Sequence, residues 1–240
     1  MSHHSGYKQW PFVTKEEFDL ACAFLDQRYV RAEMGGTRRG FKLRCRRVAT
    51  TGTSFIEILR PLKPCQNIDE LSFSFDKFTI SSCKNLDDHY ADTLIDTMVE
   101  DTDEEALRTL NLPPRYKEHS SQPYVIYEIH LHPTYNMPTL WFTLHGLNEE
   151  ESGLDLEVVY RYLVQPQYQL QLRSTGVIGA LSAAPNPVTG VPAFFVHPCQ
   201  TKEAMEDFNC PLEDYLSVWI GIVGVCIGLW LPPEIALVHL

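Results

Sequence analysis

The sequence points to an α+β fold, a mostly antiparallel sheet flanked by helices. Three observations lead there. A capped amphipathic helix opens the chain. Two strand pairs with hairpin-type turns follow. Short helical stretches then alternate with one apolar strand in the second half. The 240 residues are 44% hydrophobic and 21% charged, with a net charge of −11. That is ordinary for a globular chain and excludes collagen, coiled coil and wholesale disorder.

In chain order, Thr14 is the expected N-cap, with Glu16 and Glu17 in the next turn. Phe18, Leu20, Ala21, Ala23, Phe24 and Leu25 lie largely on one face of a helix to about Tyr29. Residues 41–50 and 54–59 read as strands around Thr51-Gly52-Thr53. The first alternates Phe41, Leu43 and Cys45 with Lys42, Arg44 and Arg46, so its basic face should meet solvent or a partner. Residues 71–80 are strand-like. Residues 84–121 read as an acidic surface insertion with a short helix over 91–99. The expected organisation is one domain over 1–240 carrying this insertion.

Residues 124–131 and 139–144 form the clearest strand pair, joined by the turn from His132 to Pro138. A helix is expected over 154–163, with 168–173 as a strand or a continuation of it. Pro185-Asn186-Pro187 and Gly190 mark a loop. Residues 191–196 form a short apolar strand, and 201–208 a helix. Val218 to Leu231 is an unbroken apolar run of fourteen, stopped by Pro232-Pro233. A membrane span needs about 20 apolar residues, so this is expected to be a buried core segment rather than a tail anchor, and no stable membrane insertion is expected.

Charge is uneven. Residues 31–64 carry nine basic and two acidic side chains; residues 66–106 carry two basic and twelve acidic. An acidic whole argues against nucleic-acid binding. The seven cysteines are irregularly spaced without CxxC, and the polar start lacks a secretory h-region. Free thiols and a cytoplasmic location follow. Cys22, Cys45 and Cys226 read as core, and Cys65, Cys83 and Cys210 as loop or edge thiols. No P-loop, GxGxxG, HExxH or GxSxG occurs. His130 and His132 share a strand face, but no third ligand has suitable spacing, so they read as exposed strand residues and no metal site is expected. Glu149-Glu150-Glu151 reads as a solvated charge run.

Cys199 stands apart. It follows an apolar strand and a proline, and precedes a helical stretch whose N-terminus favours thiolate. His197 lies two residues earlier. The alternative is a small buried hydrophobe.

The segment Gly190-Val191-Pro192-Ala193-Phe194-Phe195-Val196-His197-Pro198-Cys199-Gln200-Thr201 resembles the active-site segment of the autophagy E2-like conjugating enzymes, the autophagy-related protein ten family. Two further blocks match in order: Tyr135-Asn136-Met137-Pro138-Thr139-Leu140-Trp141-Phe142, and Tyr215 to Gly224 with Gly228 to Pro232. The resemblance implies an E2-like core and a thioester at Cys199. It implies an E1-like activating enzyme, a ubiquitin-like modifier (autophagy protein twelve) and an acceptor lysine on autophagy protein five as partners. No metal or small cofactor is implied. His197 shapes the turn or acts as a base, and Thr201 caps the next helix. Ubiquitin-conjugating enzymes use a His-Pro-Asn motif; here Cys199 fills the slot after His-Pro, leaving Asn186 and Tyr135 as candidate oxyanion donors. Tyr135, Pro138, Leu140 and Phe142 fall near the acceptor-side hairpin, while the plainer reading packs Leu140 and Phe142 in the core. Competing functions are an inactive adaptor of the same fold, the sister enzyme that loads a lipid, and a thiol hydrolase.

Overall fold

A computed structural model describes residues 9–62, 122–173, 181–198, 201–208 and 210–238, with the side chains of 170–173 excepted. All fall in the unit formed by Met1–Cys65 and Ser120–Leu240. The expected strand 71–80, insertion 84–121 and helix 91–99 lie outside the described residues.

Helix α1 spans Lys15–Arg31. Its start is a capping box. Thr14 Oγ1 accepts from Glu17 N–H at 3.2 Å, and Glu17 Oε2 accepts from Thr14 N–H at 2.7 Å. Its end is held by Arg38 of α2 (Thr37–Gly40), which donates to the carbonyls of Tyr29 and Ala32. Strands β1 (Lys42–Arg47) and β2 (Ser54–Pro61) form the first hairpin, and β3 (Tyr124–His132) and β4 (Met137–His145) the second.

Helix α3 is Leu156–Tyr162, capped by Asp155. Residues 168–173 are neither strand nor continuation: a separate helix, α4 (Pro166–Arg173), begins at Pro166. Proline suits a first helical position because its missing N–H would have had no partner there. Strands β5 (Leu181–Pro185) and β6 (Pro192–Val196) form a third hairpin. Helices α5 (Thr201–Glu206), α6 (Tyr215–Val223) and α7 (Pro233–Ala236) complete the described chain, with a 3-10 turn at Val225–Ile227.

The six strands order β1-β2-β3-β4-β6-β5, every neighbour antiparallel. Register decides which side chains go inside. Tyr127 lies opposite Phe142, Ile129 opposite Leu140, and Leu140 opposite Val196. These residues share one face with Ile56 and Ile58 and bury it against Phe18, Ala21, Cys22 and Leu25 of α1 and Tyr215, Trp219 and Ile220 of α6. The Tyr127 hydroxyl reaches the core and donates to Ile227 O at 2.8 Å. Buried Arg28 pairs with Asp214, tying α1 to the start of α6.

The apolar run is thus mostly core, divided by a helix end and a 3-10 turn, while Trp230 within it is 49% exposed. No helix among the described residues is long and apolar enough to cross a membrane. Cys22 is fully buried, while Cys45, Cys226 and Cys210 are half-buried. Glu149 and Glu150 are exposed, but Glu151 pairs with Arg161 at 2.6 Å and accepts from the Tyr162 hydroxyl at 3.1 Å.

The opposite sheet face is not simply solvated. Arg44 and Arg46 point across to β2 and both pair with Glu57, which is 7% exposed. The one carboxylate of Glu57 thus offsets part of the positive charge on this face of β1. Phe55 stacks on His130 at 4.5 Å, and Trp141 on Phe195 at 4.7 Å.

Candidate active site

Strand β6 is set in the sheet by Phe194, Phe195 and Val196 beside β4. The chain leaves it through His197, which is partly exposed, and Pro198, which is buried. Cys199 and Gln200 lie outside the described residues. The chain is described again at Thr201, a buried residue that opens α5. Cys199 is thus bonded to a buried proline at the end of a paired strand, two residues before a helix begins.

The β3–β4 turn borders His197. Asn136 adopts φ 49°, a conformation Asn tolerates, and its carbonyl accepts from Val13 N–H at 2.9 Å. The turn carries Tyr135, whose ring meets His197 edge-on at 5.7 Å between centroids. Tyr135 is 41% exposed. Of the four residues placed on the acceptor-side hairpin, it is the one that offers a surface. Leu140 and Phe142 are 0% and 1% exposed on the core face, and Pro138 is buried too. An alternating strand cannot present those residues outward while β4 keeps its register.

Asn186 sits in the β5–β6 turn. Its Oδ1 accepts from Val188 N–H at 2.8 Å and Thr189 N–H at 3.0 Å, the Asx-turn pattern. Its Nδ2 donates to Glu128 Oε2 at 2.7 Å. The same carboxylate lies 3.0 Å from His130 Nε2. Asn186 is therefore bound to half-buried Glu128, which also holds buried His130, whereas Tyr135 and His197 meet each other.

His130 departs from expectation: it is buried, stacked on Phe55 and bonded to Glu128, not an exposed strand residue. Among the described residues no group of three or more His, Cys, Asp or Glu could hold a metal ion. The sequence reading missed Glu128. Its signal was an acidic residue inside an apolar strand, with a histidine two positions on and hence on the same face.

Burial pushes the Glu128 carboxyl up, but hydrogen bonds from His130 and Asn186, with the charges of His130 and Arg46, outweigh it and leave the group below its ordinary 4.5. A carboxyl more acidic folded than unfolded stabilises the fold above its unfolded value. That contribution disappears as pH falls through the folded value. Urea unfolding at pH about 7 and about 3 is expected to show part of the acid loss of stability vanishing in Glu128→Gln. An unchanged pH dependence in that variant would remove Glu128 from this role.

An antiparallel sheet with helices packed on one face, and a cysteine between strand and helix, defines a class when set beside known proteins. Residues 17–234 match the family described as "Autophagocytosis associated protein, active-site domain", and the chain belongs to that family. It is an E2-like transferase of ubiquitin-like proteins in autophagy. The chain is 39% identical over 237 residues to the ubiquitin-like-conjugating enzyme ATG10 of Gibberella zeae, covering 96% of this chain and 98% of that protein.

Proposed function

We propose that this enzyme works in the cytoplasm and carries autophagy protein twelve as a thioester on Cys199, then transfers it to a lysine of autophagy protein five. The E1-like activating enzyme supplies the charged modifier. The Cys199 thiolate attacks the carbonyl carbon of the incoming thioester. A new S–C bond forms and the activating enzyme's thiolate leaves. A neutral lysine amine of the acceptor then attacks the same carbon, forming C–N and expelling the Cys199 thiolate. The amine loses its proton to solvent or a nearby base.

The observation that carries this reading is the family match, which runs across both flanks of the His197-Pro198-Cys199 segment. The flanks support it physically. Thioester exchange needs a reachable, partly ionised thiol and little else, and His197 beside this cysteine is partly exposed. In this account His197 stands two residues before the reacting cysteine, and Tyr135 packs against His197. Asn186 shapes the neighbouring hairpin, its amide engaged by Glu128 and by the turn.

The test mixes the protein with activating enzyme, ATP and autophagy protein twelve, followed on gels with and without reductant. Wild type should give a reductant-sensitive adduct. Cys199→Ser should give a reductant-resistant oxyester or none. No adduct on folded wild type, with the activating enzyme demonstrably charged, would refute the proposal.

A further inference from the structure

Tyr135 is held between two imidazoles. On one side its ring lies 5.7 Å from His197. On the other it lies 4.7 Å from His132, the last residue of β3. His132 also holds the backbone that carries Tyr135. Its Nδ1 accepts from Thr134 N–H at 3.2 Å and, more weakly, from Tyr135 N–H at 3.4 Å. The carbonyl of the same residue accepts from Asn136 N–H at 3.0 Å. One residue therefore secures successive amides of the turn.

An imidazole nitrogen accepts only when it carries no proton. With Nδ1 accepting, the neutral ring keeps its proton on Nε2, and the protonated ring loses the turn contacts. We propose that His132 is a positioning residue for transfer at Cys199: its unprotonated Nδ1 fixes the β3–β4 turn so that Tyr135 packs against His197. This rests on the thioester reading of Cys199.

The surroundings favour the neutral ring. Burial first, and then the neighbouring His197, hold His132 below the ordinary histidine value. Among the described residues, Tyr135 meets it from the turn, and His130 and Glu128 share its face of β3. Met137 and Thr139 of β4, opposite His132 and His130, carry no charge.

Two variants separate positioning from bulk structure. Asn offers an acceptor oxygen in place of Nδ1 and favours the same turn hydrogen bonds, but does not titrate. Ala removes the acceptor. Transfer from charged enzyme to acceptor should slow roughly tenfold or more in His132→Ala. His132→Asn should stay near wild type and lose the part of the acid limb of the pH–rate profile that His132 contributes. Long-range nitrogen–proton NMR of the imidazoles reads the tautomer directly, and His132 should be neutral at pH about 7 with its proton on Nε2. A proton on Nδ1, an alanine variant as fast as wild type, or an asparagine variant as slow as alanine would each overturn the proposal. If wild type forms no adduct, the Cys199 reading fails, and the tautomer still decides whether His132 holds the turn.

Discussion

Phe142→Ala is expected to lower the unfolding free energy by about 3–5 kcal/mol, the cost of removing a buried phenyl ring. Phe142 is stacked on Phe194 at 5.6 Å and packs beside Tyr127 at 6.1 Å. It has no face left for a partner. Tyr135→Ala, seven residues earlier in the same hairpin, should cost about 1 kcal/mol or less, because the ring is partly in solvent and its ring contacts are to two imidazoles at the surface. Chemical denaturation of the two variants gives the contrast. If Tyr135→Ala proved the more destabilising, or Phe142→Ala left stability intact while weakening acceptor binding, the assignment of core and surface in β3–β4 would be wrong.

The apolar C-terminal segment carries a prediction whose sign changes within eight residues. A Cβ on Gly224 would stand 2.6 Å from Leu229 O and 2.7 Å from Ile220 O, both backbone atoms that cannot swing aside. A Cβ on Gly228 would stand 2.9 Å from Leu163 O, at φ +69°. Alanine at either position should destabilise by about 1–3 kcal/mol through overpacking, with the left-handed conformation adding to the cost at Gly228. Gly221 lies exposed within α6, with nothing within 4 Å of the position a Cβ would take. Gly221→Ala should therefore stabilise by roughly 0.5–1 kcal/mol, since glycine costs about that much in a helix interior. Thermal melts of the three variants test this, and a destabilising Gly221→Ala would contradict it.

These glycines also indicate what a sequence can reveal. Gly221, Gly224 and Gly228 stand three and four apart, a spacing that suits close packing, and at Gly224 and Gly228 backbone does come that close. Gly221 shares the spacing without the contact, because only the path of neighbouring chain decides which glycine is crowded. Local signals read well: Thr14 with Glu17, the Gly52 hairpin and the run into His197 depend on residues near in sequence. Strand β5 did not read. Leu181–Pro185 is short and rich in small residues, and it is a strand because β6 offers it an edge to pair with. Helix α4 was ambiguous by periodicity, although Pro166 marks its start.

At the candidate site, Cys199 and His197 stand out in the sequence as a motif, and Tyr135 through its block. What did not read was distance along the chain. Glu128 and Asn186 are 58 residues apart and meet only because β6 pairs with β4, which sets the β5–β6 hairpin one strand away from β3. His132 drew notice as a strand histidine, yet its hydrogen bonds to the next turn depend on backbone angles no spacing rule gives.

The most direct measurement is peptide mapping of the trapped adduct. The reductant-sensitive adduct of wild type with autophagy protein twelve would be digested without reductant at mildly acid pH, and the modified peptide sequenced by tandem mass spectrometry. The account predicts the modifier's C-terminal residue attached at position 199, and no adduct at all in Cys199→Ala. Attachment at Cys210, Cys226 or any other residue, or undiminished charging of Cys199→Ala, would contradict it.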